Sequence, residues 1–342
     1  MRVLFIGGTG NISTAASRRV LSQGIDLHLL TRGSRQVDLP GAHWIHADIG
    51  EPSEVVEQLR GLRFDSVVNW IAFEPSDILR DVELFRGRTA QYIFISSAAA
   101  YQKPPTHPVI DESTPLANPY WQYARNKIDC ERRLLESYRD EGFPVTIVRP
   151  SLTYETVIPV PIGGWDNYTI IDRMKRGEPV VVHGDGTSIW TITHAEDFAR
   201  GFVGLLGNGQ AIGHAFHITS DELLTWDQIY QAVAAAAGVE ARIVHVSSDF
   251  IIEVDPTLEG TLRGDKAYSV LFDNSKIKRF VPGFQAVIPF RTGIRRTVEW
   301  FEEVSSRMRV VPEKNAQIDR ILAAYRSQAP AEAPNRSDGG SA

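Results

Sequence analysis

Val3-Leu4-Phe5-Ile6 runs directly into Gly7-Gly8-Thr9-Gly10, and an amphipathic helical pattern opens at Asn11-Ile12-Ser13. A buried strand that ends in glycines and turns at once into a helix admits few folds. The glycines allow backbone to approach a pyrophosphate, and the helix N-terminus stabilises its charge. Glycine also serves tight turns for conformational reasons alone. The position, at the first strand and first turn with a helix following, favours the dinucleotide reading. Ser13 stands where a third glycine is usual, and it is small enough to keep helix and strand close.

The same rhythm continues. Apolar runs at Val3–Ile6, Leu27–Leu30, His43–Ile45, Ser66–Asn69, Tyr92–Ser96 and Val145–Arg149 alternate with helical patterns near 12–20, 52–60, 76–85 and 121–141. The strands are rich in Val, Ile and Leu without polar alternation, as expected of a parallel sheet buried on both faces by helices. The predicted fold is therefore α/β: a Rossmann-like doubly wound sheet with a smaller C-terminal substrate-binding domain. Residues 1–155, with about 191–220, would form the dinucleotide-binding part. About 156–190 and 221–327 would form the substrate part, which holds a helix near 168–176, an alanine-rich helix at Trp226–Ala237 and a strand at Arg242–Val246. The tail 328–342, rich in Pro, Ala, Gly and Ser, has little to bury and is expected to be disordered.

Composition excludes several classes. A formal charge of −6 over 342 residues offers no basic field for a phosphate backbone, so no nucleic-acid partner is expected. The apolar run after Met1-Arg2 is too short for a signal peptide or membrane span. The single cysteine, Cys130, cannot form an internal disulfide and reads as a buried small residue. These features point to the cytoplasm, with no membrane partner. Nine histidines and many acids show no ligand spacing, so no metal is expected, and His194 reads as structural.

Tyr123 and Lys127 lie four apart on the helical pattern at 121–141 and share a face. A phenol with a pKa of about 10 is a poor base at neutral pH. A neighbouring ammonium favours the phenolate, and the same lysine can hold a nicotinamide ribose. Upstream, Phe94-Ile95-Ser96-Ser97 ends a strand whose C-terminal edge faces the same crevice, so Ser97 can hydrogen-bond a reacting oxygen.

With these residues assembled, the chain resembles the extended short-chain dehydrogenase/reductases, also known as the NAD-dependent epimerase/dehydratase family. Gly7–Gly10, Asp48, Asn69-Trp70-Ile71-Ala72, Ser96–Tyr101, Tyr123…Lys127, Arg149-Pro150-Ser151, Thr193–Asp197 and Phe272–Lys276 follow in the family's order across roughly 1–305. The resemblance implies Ser97, Tyr123 and Lys127 as catalytic residues. It implies a cofactor surface of Gly7, Thr9, Gly10, Asn11, Ile12, Arg32, Asp48, Ile49, Asn69, Ala72, Lys127, Pro150 and Ser151. Phe73, Ser97, Ala98, Tyr101, Tyr123, Tyr154, Trp165 and Trp190 would face substrate. A homodimer is expected.

The cofactor's identity stays open. An acid at Thr31 would mark NAD, and there is none; Arg32, with Arg35, could meet the 2′-phosphate of NADP. Equally, Arg32 could stack on adenine or point to solvent, and Asp48 could serve the loop instead of the adenine amino group. Nucleotide-sugar members usually clamp the diphosphate with two arginines, at positions that read Trp190 and Tyr268–Leu271 here; Arg263 and Lys266 could compensate. Glu155 replaces a glycine and adds negative charge near the expected pocket. These departures disfavour a doubly charged diphosphate and put a nucleoside, free sugar or glycoside at least level with a nucleotide sugar as the expected substrate. Trp121, Trp165 and Trp190 could stack on such a ligand or serve packing. The expected chemistry is a keto intermediate reached by hydride transfer, for an epimerase or an oxidoreductase. The alternative is a non-catalytic dinucleotide sensor or RNA-associated relative.

Overall fold

The computed structural model describes residues 1–35 and 37–328. Seven parallel strands form the central sheet: β1 (Arg2–Ile6), β2 (Asp26–Thr31), β3 (His43–His46), β4 (Ser66–Asn69), β5 (Tyr92–Ile95), β6 (Val145–Arg149) and β7 (Ala215–His217). Their spatial order is 7-6-5-4-1-2-3, so the winding reverses between β1 and β4. At such a reversal, ligands bind beyond the carboxyl ends of the strands.

Burial on both faces explains the unbroken apolar runs. Val3, Phe5, Leu27, Leu29, Ile93 and Ile95 pack on one side with Val20 of α1 (Ser13–Ser22) and with Phe198 and Phe202, which lie in the helix Ala195–Val203. Their strand neighbours Leu4, Ile6, Leu30, Tyr92 and Phe94 pack on the other side with Val55, Ile78, Val82 and Leu134. Those four come from α2 (Pro52–Gln58), α3 (Pro75–Phe85) and α4 (Gln122–Glu141). A third cluster draws on 98–110, 152–182, 190–192 and 226–322. Short strands organise it: Leu152–Tyr154 pairs with Ile192–His194, and Pro179–His183 pairs with Arg242–Val246.

The six expected strands and four N-terminal helices all form, within a residue or two of their predicted ends. β7 escapes the sequence reading because it is only three residues long. So does the helix Pro312–Gln328, which extends through the residue where the tail was expected to begin; 329–342 lie outside the described residues. Among the described residues no helix is long and apolar enough to cross a membrane.

One buried ion pair ties α4 to the sheet. Arg149, the last residue of β6, donates to Glu131 through Nη2 at 2.6 Å and Nε at 3.0 Å, with both side chains out of solvent. Burial pulls the guanidinium down, but the Glu131 carboxylate more than offsets this and raises its pKa. Ser96 donates to the same carboxylate. Removing one partner of such a pair strands the other charge in the interior. Glu131→Ala should therefore lower the unfolding free energy by about 3–5 kcal/mol. Chemical denaturation measures this, and a loss below about 1 kcal/mol, the size of a surface pair, would show that the pair does not hold the helix.

Candidate functional site

The glycine turn leaves β1 with positive φ at Gly7 (+93°) and Gly8 (+97°). A Cβ on Gly8 would lie 2.7 Å from Leu29 Cδ2, so that glycine is required by packing. Gly10 differs: its φ is unexceptional, and a Cβ there would meet nothing nearer than Ser13 Oγ at 3.4 Å. Neither strain nor crowding explains the missing side chain, whereas an approaching ligand would. Behind it, Ile12 is the N-cap of α1, with no side-chain cap and no acid in the first turn; Thr14 N donates to the Gly10 carbonyl at 3.0 Å, which leaves the Ser13 and Ala15 N–H groups open to an anion among the described residues. The Ser151 hydroxyl, just after β6, is buried without a partner. These features fit a pyrophosphate-containing dinucleotide.

Some cofactor-side residues are committed within the protein. Asn11 Nδ2 donates to the Thr153 carbonyl at 2.9 Å, and its Oδ1 accepts from the Glu155 and Thr156 backbones, so its side chain tethers the turn instead of facing outward. Asn69, fully buried, accepts from the Ile71 and Ala72 N–H groups and donates to Asp81; it shapes the chain after β4. Asp48 Oδ1 closes a turn with Gly50 N at 2.9 Å, and Asp48 lies 3.8 Å from the exposed Arg32 guanidinium. Arg35 reaches close to Gly10. Thr9 stands half-buried in the turn, Ile49 is buried, and the Pro150 carbonyl accepts from Ala98 N.

Lys127 is 2% exposed, and its Nζ donates to the Ala72 carbonyl at 2.7 Å and the Ile95 carbonyl at 2.8 Å. An ammonium has three donors, so one remains free. Phe73 and Phe94 lie 4.6 and 4.8 Å from it. Burial pulls its pKa down to about 8, against the nearby acids Glu131 and Asp77. One turn earlier, burial pushes the Tyr123 phenol up, the Ser97 hydroxyl opposes this as its hydrogen-bonding neighbour, and the Asp265 charge adds to the rise. The expected depression of Tyr123 by Lys127 is not seen: burial sets the direction, and the group that opposes it is Ser97. Ser97 Oγ also accepts from Ala99 N at 3.1 Å, which fixes its position at the end of β5.

The structure corrects several expected substrate contacts. Tyr101 is fully buried, its hydroxyl bound to His217 Nδ1 at 3.0 Å and its ring 4.8 Å from the Arg149 guanidinium. Tyr154, 1% exposed, donates to the Phe290 carbonyl at 3.3 Å and packs edge-on against His194. Trp190, 2% exposed, lies on Trp226 with ring centroids 5.7 Å apart, so its face serves the core. Ala98 is buried. Glu155 pairs with Arg18 at 3.0 Å on the α1 side, so its charge is compensated. Phe73 and Trp165 remain about half exposed, and Phe73 lies 6.3 Å from the Tyr123 ring. Trp165 is held at φ +86°, bridged to Ile158. His194 caps the helix Ala195–Val203, and burial pushes the Cys130 thiol up to about 12.

Sequence reasoning missed the groups beyond Tyr123. Leu262–Lys266 forms a π-helical turn, which Asn118 Nδ2 ties to the Ala99 carbonyl region through the Gly264 carbonyl. The turn carries Asp265 between two lysines: Lys266 Nζ at 2.9 Å and the buried Lys103 Nζ at 3.9 Å. Arg263 is spent on Asp249 and Glu259. Trp121 packs on the Tyr123 ring at 5.0 Å and fills the space beside Gly260 and Gly264. The signals in the sequence were Trp121, Arg263 and Lys266, none of which pointed to Asp265 or Lys103.

Residues 3–219 match the NAD dependent epimerase/dehydratase family. The chain belongs to that family. Among relatives, it is 30% identical over 263 residues to the chloroplast stem-loop binding protein of 41 kDa b from Arabidopsis thaliana, covering 71% of this chain and 65% of that protein. It is 23% identical to 2'-dehydrokanamycin reductase from Streptomyces kanamyceticus, covering 83% and 80% of the two chains. UDP-glucose 4-epimerase from Bifidobacterium longum, solved with NAD+ and UDP, superposes with a TM-score of 0.72 at 17% identity, over 90% of this chain and all of that one. Like other extended short-chain dehydrogenase/reductases, this epimerase/dehydratase-family chain carries the Rossmann-like sheet.

The depressed Lys127 has a measurable consequence. Unfolded, the amine titrates near 10.5; folded, it releases its proton above about 8. Between these values the unfolded chain holds more protons, so rising pH stabilises the fold, whereas below about 8 the burial cost is fully present. Relative to Lys127→Met, the wild type's unfolding free energy should climb across that window. Parallel pH profiles for the two proteins would show that Lys127 titrates normally.

Proposed function

We propose that this protein uses a nicotinamide dinucleotide to oxidise or reduce a hydroxyl-bearing carbon of a sugar-like substrate. The observation that carries the reading is the convergence, beyond the strand ends at the winding reversal, of Ser97, Tyr123 and a Lys127 ammonium with one free donor, beside an uncapped helix N-terminus. Gly10, Ser151 and the first turn of α1 would hold the pyrophosphate end of the cofactor, with Lys127 on the nicotinamide ribose. Bound there, the nicotinamide supplies or accepts a hydride.

In the oxidative direction Tyr123 Oη takes the substrate hydroxyl proton as the carbon becomes a ketone; in reduction it returns that proton. Ser97 Oγ hydrogen-bonds the same oxygen, whose charge rises in the transition state. Lys127 steadies the phenolate. Release of the ketone makes a simple oxidoreductase, and re-reduction on the other face makes an epimerase. Dehydration would need a further acid/base pair beside Ser97, where Ala98 and Ala99 supply none. The third apolar cluster is the substrate-side layer in this reading. The half-exposed Phe73 and Trp165 supply apolar surface for a sugar ring.

A less charged substrate than a nucleotide sugar is favoured because Arg263 is already paired and Trp190 replaces a clamp arginine. The similarity to a reductase named for a dehydrokanamycin supports the same direction. The similarity to a stem-loop binding protein supports a second reading, RNA association, against which the net charge of −6 weighs.

Gly10→Leu should abolish dinucleotide binding while leaving the fold intact, as calorimetry and thermal unfolding would report. Unchanged affinity would remove the turn from the site. The exposed Arg32 predicts tighter binding of NADP(H) than NAD(H), lost on Arg32→Ala. Tyr123→Phe should retain binding and lose on the order of 10²–10⁴ in turnover. A screen of nucleosides, free sugars and glycosides against UDP-, GDP- and dTDP-sugars should follow both nicotinamide absorbance and product stereochemistry, because an epimerase returns its hydride. Efficient turnover confined to diphosphate sugars would overturn the substrate assignment.

A further inference from the structure

At the other end of the strands from the glycine turn, three ligand-type side chains meet. Parallel pairing of β2 with β3 sets His28 opposite His43. Asp26 precedes His28 by two residues and so shares its face. Asp26 Oδ1 lies 3.1 Å from His28 Nε2 and 3.4 Å from His43 Nε2, and all three ligand atoms fall within 4.8 Å of one another. The histidine ring centroids stack 4.7 Å apart, and Phe64 meets His28 in a T-shaped contact with centroids 5.5 Å apart.

Hydrogen bonding accounts for this arrangement only weakly. Asp26 Oδ1 and His28 Nε2 are both buried without a partner of hydrogen-bond geometry, despite their short separation. Arg2 Nε donates to the other carboxylate oxygen at 2.8 Å and leaves Oδ1 unclaimed. Bonds of about 2.0–2.1 Å to a tetrahedral zinc ion place neighbouring ligand atoms about 3.3 Å apart; the two carboxylate–imidazole separations sit there, and all three ligand atoms lie within 4.8 Å of one another. Two imidazoles and one carboxylate suit a borderline divalent ion, not the all-oxygen sites of calcium or magnesium.

We propose that Asp26, His28 and His43 bind a divalent transition-metal ion of the zinc type, with water completing the tetrahedron, at the N-terminal end of β2 and β3. The ion would cross-link the edge strand β3 to its neighbour, a structural role remote from Tyr123. The Arg2 guanidinium opposes a second cation, so binding is exchangeable rather than permanent.

The test uses the full chain stripped with a chelator and titrated with zinc, then with cobalt, whose visible bands report tetrahedral geometry. The wild type should take up one ion, show those bands and melt at a higher temperature with zinc than without. His43→Ala removes a largely exposed ligand and should keep the metal-free melting temperature. It should lose affinity by about tenfold or more and lose the zinc-dependent rise. His107→Ala, an exposed histidine elsewhere, should behave as the wild type, and dinucleotide binding should be the same in all three. No uptake by the wild type, or equal uptake by wild type and His43→Ala, would overturn the site whatever the fate of the catalytic assignment.

Discussion

Two buried charges one turn apart on α4 set the geometry on which the rest depends. Lys127 reaches the carbonyls of Ala72 and Ile95, and Glu131 reaches Ser96 and Arg149. Together they fasten one helix to the carboxyl ends of three adjacent strands, β4, β5 and β6. Because Tyr123 rides on the same helix, its distance from Ser97 is set by these anchors and not by loop conformation. Rigid-element placement of this kind is what precise catalytic geometry requires.

The cost of this arrangement is visible in protonation. An ammonium enclosed by carbonyls and aromatic rings is held below its ordinary range, and the adjacent phenol above its own. Both shifts disfavour charge in the ligand-free protein. The Asp265 pair with Lys266 and Lys103 extends the polar surface outward from Tyr123, with charges already matched among themselves.

The sheet was legible because burial on both faces writes apolar runs into the sequence, and the glycine turn and the grouping of Ser97, Tyr123 and Lys127 because they are marked by particular residues at short spacing. What failed was whatever depended on orientation. Tyr101, Tyr154 and Trp190 are aromatic in either role, and only packing shows that their faces are spent on His217, Phe290 and Trp226. Glu155 finds Arg18 across 137 positions of sequence, which no local pattern reveals. The Asp26, His28 and His43 grouping is likewise invisible along the chain, because strand pairing delivers its third member.

Asn11 carries a different kind of consequence. Its amide spans the phosphate turn and the backbone of 153–156, so two segments far apart in sequence share one hinge-free joint. That second segment leads directly into the loop bearing Trp165, whose left-handed backbone is held by its bridge to Ile158. The glycine turn and the chain that runs on toward Trp165 are therefore joined by three hydrogen bonds from one side chain.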